Sequence, residues 1–209
     1  MRFEDSWAEE YIISKLPVEC QLMKKIREET FSDERRFIQI GRIEGAILAL
    51  LIRMNRVKTV VEVGTLGGYS AICIAKAVGN DGKVYTIEKN PEYAQIALQN
   101  FSTFPQIELF TGDAKVKLLE LSSSGPFDML FIDAEKSGYP TYLEWGETNI
   151  RAGGLIIADN TLSFGKNNPS SNSRAWQFME RFNTMISNPD KYDSVILPTA
   201  NGLTVAIKK

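Results

Sequence analysis

Histidine is absent from all 209 residues. That excludes a Ser-His-Asp triad, a Cys-His nucleophile, a zinc site built on imidazole and the ordinary switch of charge near neutral pH. Cysteine is nearly absent too, with only Cys20 and Cys73. Both fall in apolar stretches of helical character and are read as buried, reduced thiols rather than a disulfide. No long hydrophobic run exists. The longest clean one, Ala46–Ile52, lies between Glu44 and Arg53, far short of the roughly 20 residues needed to cross a bilayer. The acidic start Met1-Arg2-Phe3-Glu4-Asp5 lacks the basic and then apolar pattern of a signal peptide, so a cytoplasmic location is expected. An excess of one charge is missing as well. The 24 Lys and Arg against 26 Asp and Glu leave a net charge of −2, with no global basic surplus to hold nucleic acid or an anionic membrane. Chemistry must run on carboxylates, amides, lysine, tyrosine or a cofactor.

What is present is enough chain for one domain, 44% hydrophobic and 24% charged. Residues 1 to about 56 read as helices that precede an α/β core at 57–209. Within the helical part Ile43, Ala46, Ile47, Leu50, Leu51 and Met54 recur at helical spacing, which predicts a stripe facing the core. From Lys58 onward short apolar strands, at 59–63, 83–88, 107–111, 127–133 and 154–159, alternate with helical segments near 69–79, 91–102, 114–121 and 138–150. That alternation predicts βαβ units, a mostly parallel sheet and helices on both of its faces. After a further helix near 173–186, Val195–Pro198 and Leu203–Ile207 flank a turn containing Asn201-Gly202. Such a turn predicts a hairpin, so one C-terminal strand of a seven-stranded sheet runs antiparallel.

The segment Glu62-Val63-Gly64-Thr65-Leu66-Gly67-Gly68-Tyr69-Ser70 closes the first strand and opens a helix. Ligands of open parallel sheets bind beyond the carboxyl ends of the strands, so this turn belongs to a site. Gly64 and Gly68 are read as letting the backbone approach a ligand, and the helix N-terminus beyond them offers free N–H groups to an anionic end. Leu66 stands where a dinucleotide fingerprint needs its second glycine, which argues against NAD. Glu62 can accept from the ammonium of S-adenosylmethionine, Glu88 at the end of the second strand can take ribose hydroxyls, and Gly112-Asp113-Ala114 suits an adenine edge. Together with the terminal hairpin these features favour the Rossmann-like methyltransferase fold over an ordinary dinucleotide-binding sheet.

Asp133 ends the fourth strand and Asp159-Asn160 the fifth. Were these strands neighbours, about 4.8 Å apart, two carboxylates and an amide carbonyl would converge at one rim. Those are hard donors that suit Mg²⁺, Ca²⁺ or Mn²⁺.

In order and spacing the chain resembles the cation-dependent class I O-methyltransferases, which include caffeoyl-CoA and catechol O-methyltransferases and many small bacterial homologues. The resemblance spans about 35–209. It rests on Glu62-Val63-Gly64-Thr65 with Gly68-Tyr69-Ser70, Ile132-Asp133-Ala134-Glu135-Lys136 with Tyr139, Gly153-Gly154 with Asp159-Asn160-Thr161-Leu162, and Leu197-Pro198 with Gly202-Leu203-Thr204. It implies that Asp133, Asp159 and Asn160 hold a divalent cation. It implies further that Glu62, Gly64, Thr65, Ser70, Glu88 and Ala114, with the backbone near Ile40 and with Gly68, Asp113 and Asp133, hold S-adenosylmethionine. Lys136 matches the family's proposed general base. The implied reaction methylates a hydroxyl of a small vicinal-dihydroxy aromatic, with Tyr139 and Phe164 near the acceptor and the 163–173 loop covering it. A homodimer through the N-terminal helices is the family expectation.

Two departures bear on the acceptor. Relatives more often carry Trp and then a polar or small residue at the Ser163 and Phe164 positions, and Pro where Ile43 stands. Other readings are a tRNA 5-hydroxyuridine methyltransferase, given a local patch of Lys24, Lys25, Arg27, Arg35, Arg36, Arg42, Arg53, Arg56 and Lys58, and an NAD-linked oxidoreductase.

Overall fold

Branched side chains at Val60, Val61 and Val63 make the stretch after Lys58 a strand, because they fit a pleated, buried surface better than a helix. The same composition recurs along the core, and the computed structural model, which describes residues 6–30, 38–162 and 174–209, turns it into a single sheet. In chain order the elements are α1 (Ser6–Lys15), α2 (Gln21–Glu29), α3 (Arg42–Met54), β1 (Thr59–Val63), α4 (Tyr69–Val78), β2 (Lys83–Glu88), α5 (Pro91–Asn100) and β3 (Ile107–Thr111). They continue with α6 (Ala114–Leu121), β4 (Phe127–Ile132), α7 (Tyr139–Asn149), β5 (Ile150–Ala158), α8 (Arg174–Ile186), β6 (Tyr192–Leu197) and β7 (Leu203–Lys208). Pro91 occupies the first turn of α5, where its missing N–H has no partner to lose, and Asn90 caps the same end by accepting from the Glu92 amide.

The seven strands lie in the order β3-β2-β1-β4-β5-β7-β6. The β1–β5 ladders are parallel, whereas β7 pairs antiparallel with both β5 and β6. Alternate residues of each central strand serve opposite cores. Val60, Met129, Phe131 and Ile157 pack with α2, α3 and α4, while Val61, Leu130, Ile132 and Ile156 pack with α6, α7 and α8. Strand order reverses at β1, between β2 and β4, and this crevice at the carboxyl ends is where such sheets bind ligands.

The opposite end of the sheet is clasped by Asp128. Its Oδ2 accepts from the amides of Lys58 (2.7 Å) and Thr59 (2.9 Å), and its Oδ1 from Arg151 Nε at 2.6 Å. Burial opposes the charged form, yet Arg151 and the two amides outweigh it and hold the carboxyl below the usual range.

Several expectations need correction. In α3 the buried face is Gly45, Leu48 and Ile52, one step round from the expected stripe, and Leu50 and Met54 are 58% and 72% exposed. Close packing on α4 explains the rotation, since a Cβ on Gly45 would meet Cys73 Sγ at 3.0 Å. Cys20 is exposed at the start of α2 rather than buried, while Cys73 is partly buried with its thiol pushed up to about 12 by burial. β5 begins at Ile150 instead of near 154, through an irregular register between Phe127 and Met129 on β4. Among the described residues no helix is long and apolar enough to cross a membrane.

Candidate active site

The hydrogen-bond ladder continues past the ends of β1, β4 and β5. Asp133 donates its amide to Val63 O and Asp159 donates to Ile132 O, both at 2.9 Å. The two acids therefore stand one step beyond the ends of two adjacent strands, β4 and β5. Asn160 follows at a φ of +60°, a left-handed conformation that asparagine tolerates better than most residues. This turns its amide back over the acids, and Nδ2 donates to Asp133 Oδ1 at 3.1 Å and to Asp159 Oδ2 at 2.8 Å. The three side chains expected to converge do so. Rotating the amide by half a turn would present Oδ1 at the same point. Among the described residues no group of three or more carboxylates and thiols is placed to hold a metal, so any cation here would rely on two carboxylates and one amide.

Both carboxyls are electrostatically uncomfortable. Burial, then Asp133, pushes Asp159 up to about 7. Burial likewise raises Asp133, against the pull of Lys136 and Asn160. A positive charge between them would relieve both.

Lys136 opens the short 3₁₀ turn that leads into α7. Its Nζ donates to the Tyr139 hydroxyl at 2.7 Å, and that hydroxyl donates to Asp159 O at 2.8 Å. Burial lowers the Lys136 pKa, opposed by Asp133, Asp159 and Glu135. Tyr139 is fully buried, packed edge-on against Phe182 at 5.4 Å between ring centroids. It presents no surface to an acceptor, so its expected role in substrate contact is replaced by a hold on Lys136. Phe164, the other acceptor candidate, lies outside the described residues, as do the 163–173 loop, Arg35 and Arg36.

A cavity of about 550 Å³ opens beside this cluster. It is lined by Ile40, Gly64, Thr65, Ser70, Glu88, Asp113, Ala114, Asp133, Lys136 and Asn160 among the expected residues. Gly68 and Glu62 do not line it. A Cβ on Gly68 would strike the Phe101 ring at 2.4 Å, and one on Gly64 would strike the Asp133 carbonyl oxygen at 1.9 Å. Both glycines thus make room for the protein's own chain, and Gly64 also lines the cavity. Glu62 is wholly buried behind the wall. Its Oε2 accepts from Thr86 at 2.5 Å and its Oε1 has no hydrogen-bond partner among the described residues. Burial, only partly offset by the hydroxyls of Ser70 and Thr86, pushes its pKa up to about 8. Glu88 is also committed: Oε2 accepts from the amides of Thr65 (3.2 Å) and Leu66 (2.8 Å), and Oε1 from Asn90 at 2.8 Å. It therefore holds the glycine-rich turn in place besides facing the cavity. Asp113 caps α6 through the Lys115 amide at 2.9 Å.

Other lining residues were not anticipated, among them Gln39, Leu66, Lys89, Tyr93, Glu135 and Asn201. Lys89 directly follows Glu88 and Glu135 directly precedes Lys136, so the strand-end loops contained that signal. Asn201 arrives only through the topology. Its carbonyl accepts from the Leu162 amide at 2.8 Å and Gly202 O accepts from Thr161 at 3.0 Å, which seats the hairpin turn beside Asn160. On the far side of Lys136 lies an open groove formed by Glu135, Lys136, Ser137, Arg174, Ala175, Gln177 and Phe178.

Comparison with known proteins agrees with this geometry. A family profile described as O-methyltransferase matches residues 13–209. A catechol O-methyltransferase from Niastella koreensis is 36% identical over 183 residues, 82% of this chain and 83% of that protein. An O-methyltransferase from Bacillus cereus, solved with S-adenosylhomocysteine, superposes with a TM-score of 0.89 at 28% identity, covering 97% of each chain. One from Streptomyces achromogenes involved in tomaymycin synthesis, solved with S-adenosylmethionine, gives 0.87 at 27% identity over 100% of each chain. The chain belongs to the class I, S-adenosylmethionine-dependent O-methyltransferase family.

Proposed function

We propose that this enzyme moves the methyl group of S-adenosylmethionine to one hydroxyl of a small vicinal-dihydroxy aromatic, of catechol or caffeoyl type, with the help of a divalent cation such as Mg²⁺. The observation that carries the reading is the convergence of Asp133, Asp159 and Asn160 at the cavity rim, with Lys136 beside them.

The residues present fit both groups. Glu62 Oε1 is a carboxyl oxygen buried behind the cavity wall with no hydrogen-bond partner among the described residues, and a cationic ammonium seated against that part of the wall is the donor it lacks. Ile40, Thr65, Ser70, Glu88, Asp113 and Ala114 line the space that the remainder of the nucleoside would fill, with Gly64 and Gly68 shaping the turn. For the cation, two carboxylates raised in pKa by burial and mutual repulsion, plus an amide oxygen, form a hard-donor set. A divalent ion bound there supplies Lewis-acid polarisation of the acceptor hydroxyl. Asp133 and Asp159 balance its charge, and Lys136, with its pKa lowered by burial, takes the proton from that hydroxyl. The groove beyond Lys136 gives the ring of the acceptor a surface at Phe178.

Family membership leaves no place for the NAD-linked alternative. Among the described residues the basic patch behind the tRNA reading is paired in part. Arg27 bonds Glu19 (2.9 Å) and Glu28 (3.0 Å), Lys58 bonds Asp81 at 2.6 Å, and Arg42 donates to Pro17 O. A homodimer through the N-terminal helices accords with exposed Trp7, Tyr11, Leu50 and Met54 on α1 and α3; a monomeric mass in solution scattering would overturn it. A cytoplasmic setting accords with two free thiols.

The direct experiment is methyl transfer from labelled S-adenosylmethionine to a panel of catechols with Mg²⁺. Turnover that is lost with EDTA and in Asp159→Ala supports the reading, whereas turnover indifferent to both ends it.

A further inference from the structure

Two tyrosines one helical turn apart support consecutive residues of the catalytic turn from below. Tyr142 donates its hydroxyl to Glu135 Oε1 at 2.6 Å, and Tyr139 receives Lys136 Nζ at 2.7 Å. Both rings are buried, at 1% and 0% exposure, so neither can contact an acceptor. The fit is close. A Cβ on Gly138, in the turn itself, would lie 2.3 Å from Tyr142 Cζ.

The polarity of the Tyr139 bonds follows from chemistry. A backbone carbonyl can only accept, so the Tyr139 proton goes to Asp159 O, and the hydroxyl must then accept from Lys136. One N–H of Lys136 is therefore always directed at Tyr139. Whatever remains on Nζ, the lone pair of the neutral amine included, faces away from the tyrosine, and Lys136 lines both the cofactor cavity and the adjoining groove. The anchor at the other end is the backbone of Asp159, a proposed cation ligand. The hydroxyl thus ties the base to the frame that holds the cation.

We propose that Tyr139 is a positioning residue for Lys136: it fixes the direction in which Nζ presents its lone pair relative to the Asp133–Asp159–Asn160 cluster and touches no substrate itself. This rests on the proposed role of Lys136 as the proton acceptor. A flexible lysine loses time in unproductive rotamers, and misplacing a catalytic group lowers turnover without weakening ground-state binding.

The test compares Tyr139→Phe, Lys136→Met and the double variant in the full-length enzyme, with S-adenosylmethionine, Mg²⁺ and catechol. Tyr139→Phe is expected to lower kcat about tenfold or more while leaving KM for S-adenosylmethionine and the thermal midpoint close to wild type. In the Lys136→Met background it should cost nothing further. Independent multiplicative losses would show that Tyr139 acts elsewhere and overturn the inference. Full activity in Lys136→Met would instead remove the general-base reading on which it rests, a different outcome on a different variant. A readout free of activity comes from crystal structures of wild type and Tyr139→Phe. Lys136 should hold one rotamer in the first and several in the second, and an unchanged single rotamer in the variant would overturn the inference.

Discussion

The carbonyl oxygen of Asp133 occupies the space where a side chain on Gly64 would begin, 1.9 Å from the ideal Cβ position. Gly64 also adopts a φ of +95°, which side-chain-bearing residues rarely reach. The two central strands, β1 and β4, can therefore deliver their terminal residues to the same cavity only because this position has no Cβ. Gly64→Ala must push β4 away from β1 at the point where Asp133 leaves the sheet. The expected loss is on the order of 3 kcal/mol or more, read by urea unfolding. The nearest atoms to a Cβ at Gly68 belong to the Phe101 side chain rather than to backbone, so Gly68→Ala should cost less despite its own positive φ. Equal losses in the two variants would refute the backbone explanation.

Glu62 should make cofactor affinity depend on pH. Its carboxyl is raised to about 8 by burial, so near neutrality it is mostly protonated in the free protein. Pairing with an ammonium requires the charged form, and binding must then expel a proton. Affinity for S-adenosylhomocysteine is expected to rise between about pH 6.5 and 8, by at most about tenfold per pH unit. Calorimetry in buffers of different ionisation enthalpy should detect the released proton. Glu62→Gln should bind more weakly, without that slope and without proton release. A variant that keeps the slope would assign it to another group.

Much of this site was legible because strand ends are legible. Alternation of short apolar runs with helices placed Asp133, Asp159 and Glu88 at carboxyl termini, and the Asn201-Gly202 turn disclosed the antiparallel hairpin. Periodicity says which residues share a face of α3 but not which neighbour that face meets. The close approach of Gly45 to Cys73 turned the helix away from the expected stripe. Hydrogen bonding was hidden for the same reason. Whether Tyr139 meets an acceptor or a lysine depends on the turn that precedes α7, and whether Gly64 faces a ligand or a carbonyl depends on a strand nearly 70 residues further on.

Asn160 offers a way to separate a ligand from a conformational device. Its φ of +60° is one that glycine adopts freely, so Asn160→Gly keeps the turn and removes only the amide. The fold should survive, with a thermal midpoint near wild type, while affinity for Mn²⁺ as a spectroscopic substitute falls about 10-fold to 100-fold, the usual range for losing a group that supports a metal site. Asn160→Ala loses the same amide and adds backbone strain, so its midpoint should fall as well. Unchanged Mn²⁺ binding in the glycine variant would remove Asn160 from the cation site and leave it as a bridge between the two acids.

The clasp at the other end of the sheet gives a stability experiment that is independent of catalysis. Asp128 accepts from Arg151 at 2.6 Å and from the amides of Lys58 and Thr59. These contacts overcome the cost of burial and hold its pKa below the ordinary carboxylate range. A carboxyl with a depressed folded pKa stabilises the fold at pH values above its unfolded pKa, about 3.9, and that contribution is lost as pH falls through the folded value. Asp128→Asn keeps the shape and removes the charge. At pH 7 it should lower stability by about 1–3 kcal/mol, the range for hydrogen bonds to a charged group. As the pH drops below about 4, wild type loses the same charge by protonation and the two proteins should converge. Urea unfolding at pH 7 and at successively lower pH measures the gap. A difference that stays constant across that range would mean that the geometry of the amide contacts, rather than the charge facing Arg151, holds β1 to β4 at this end.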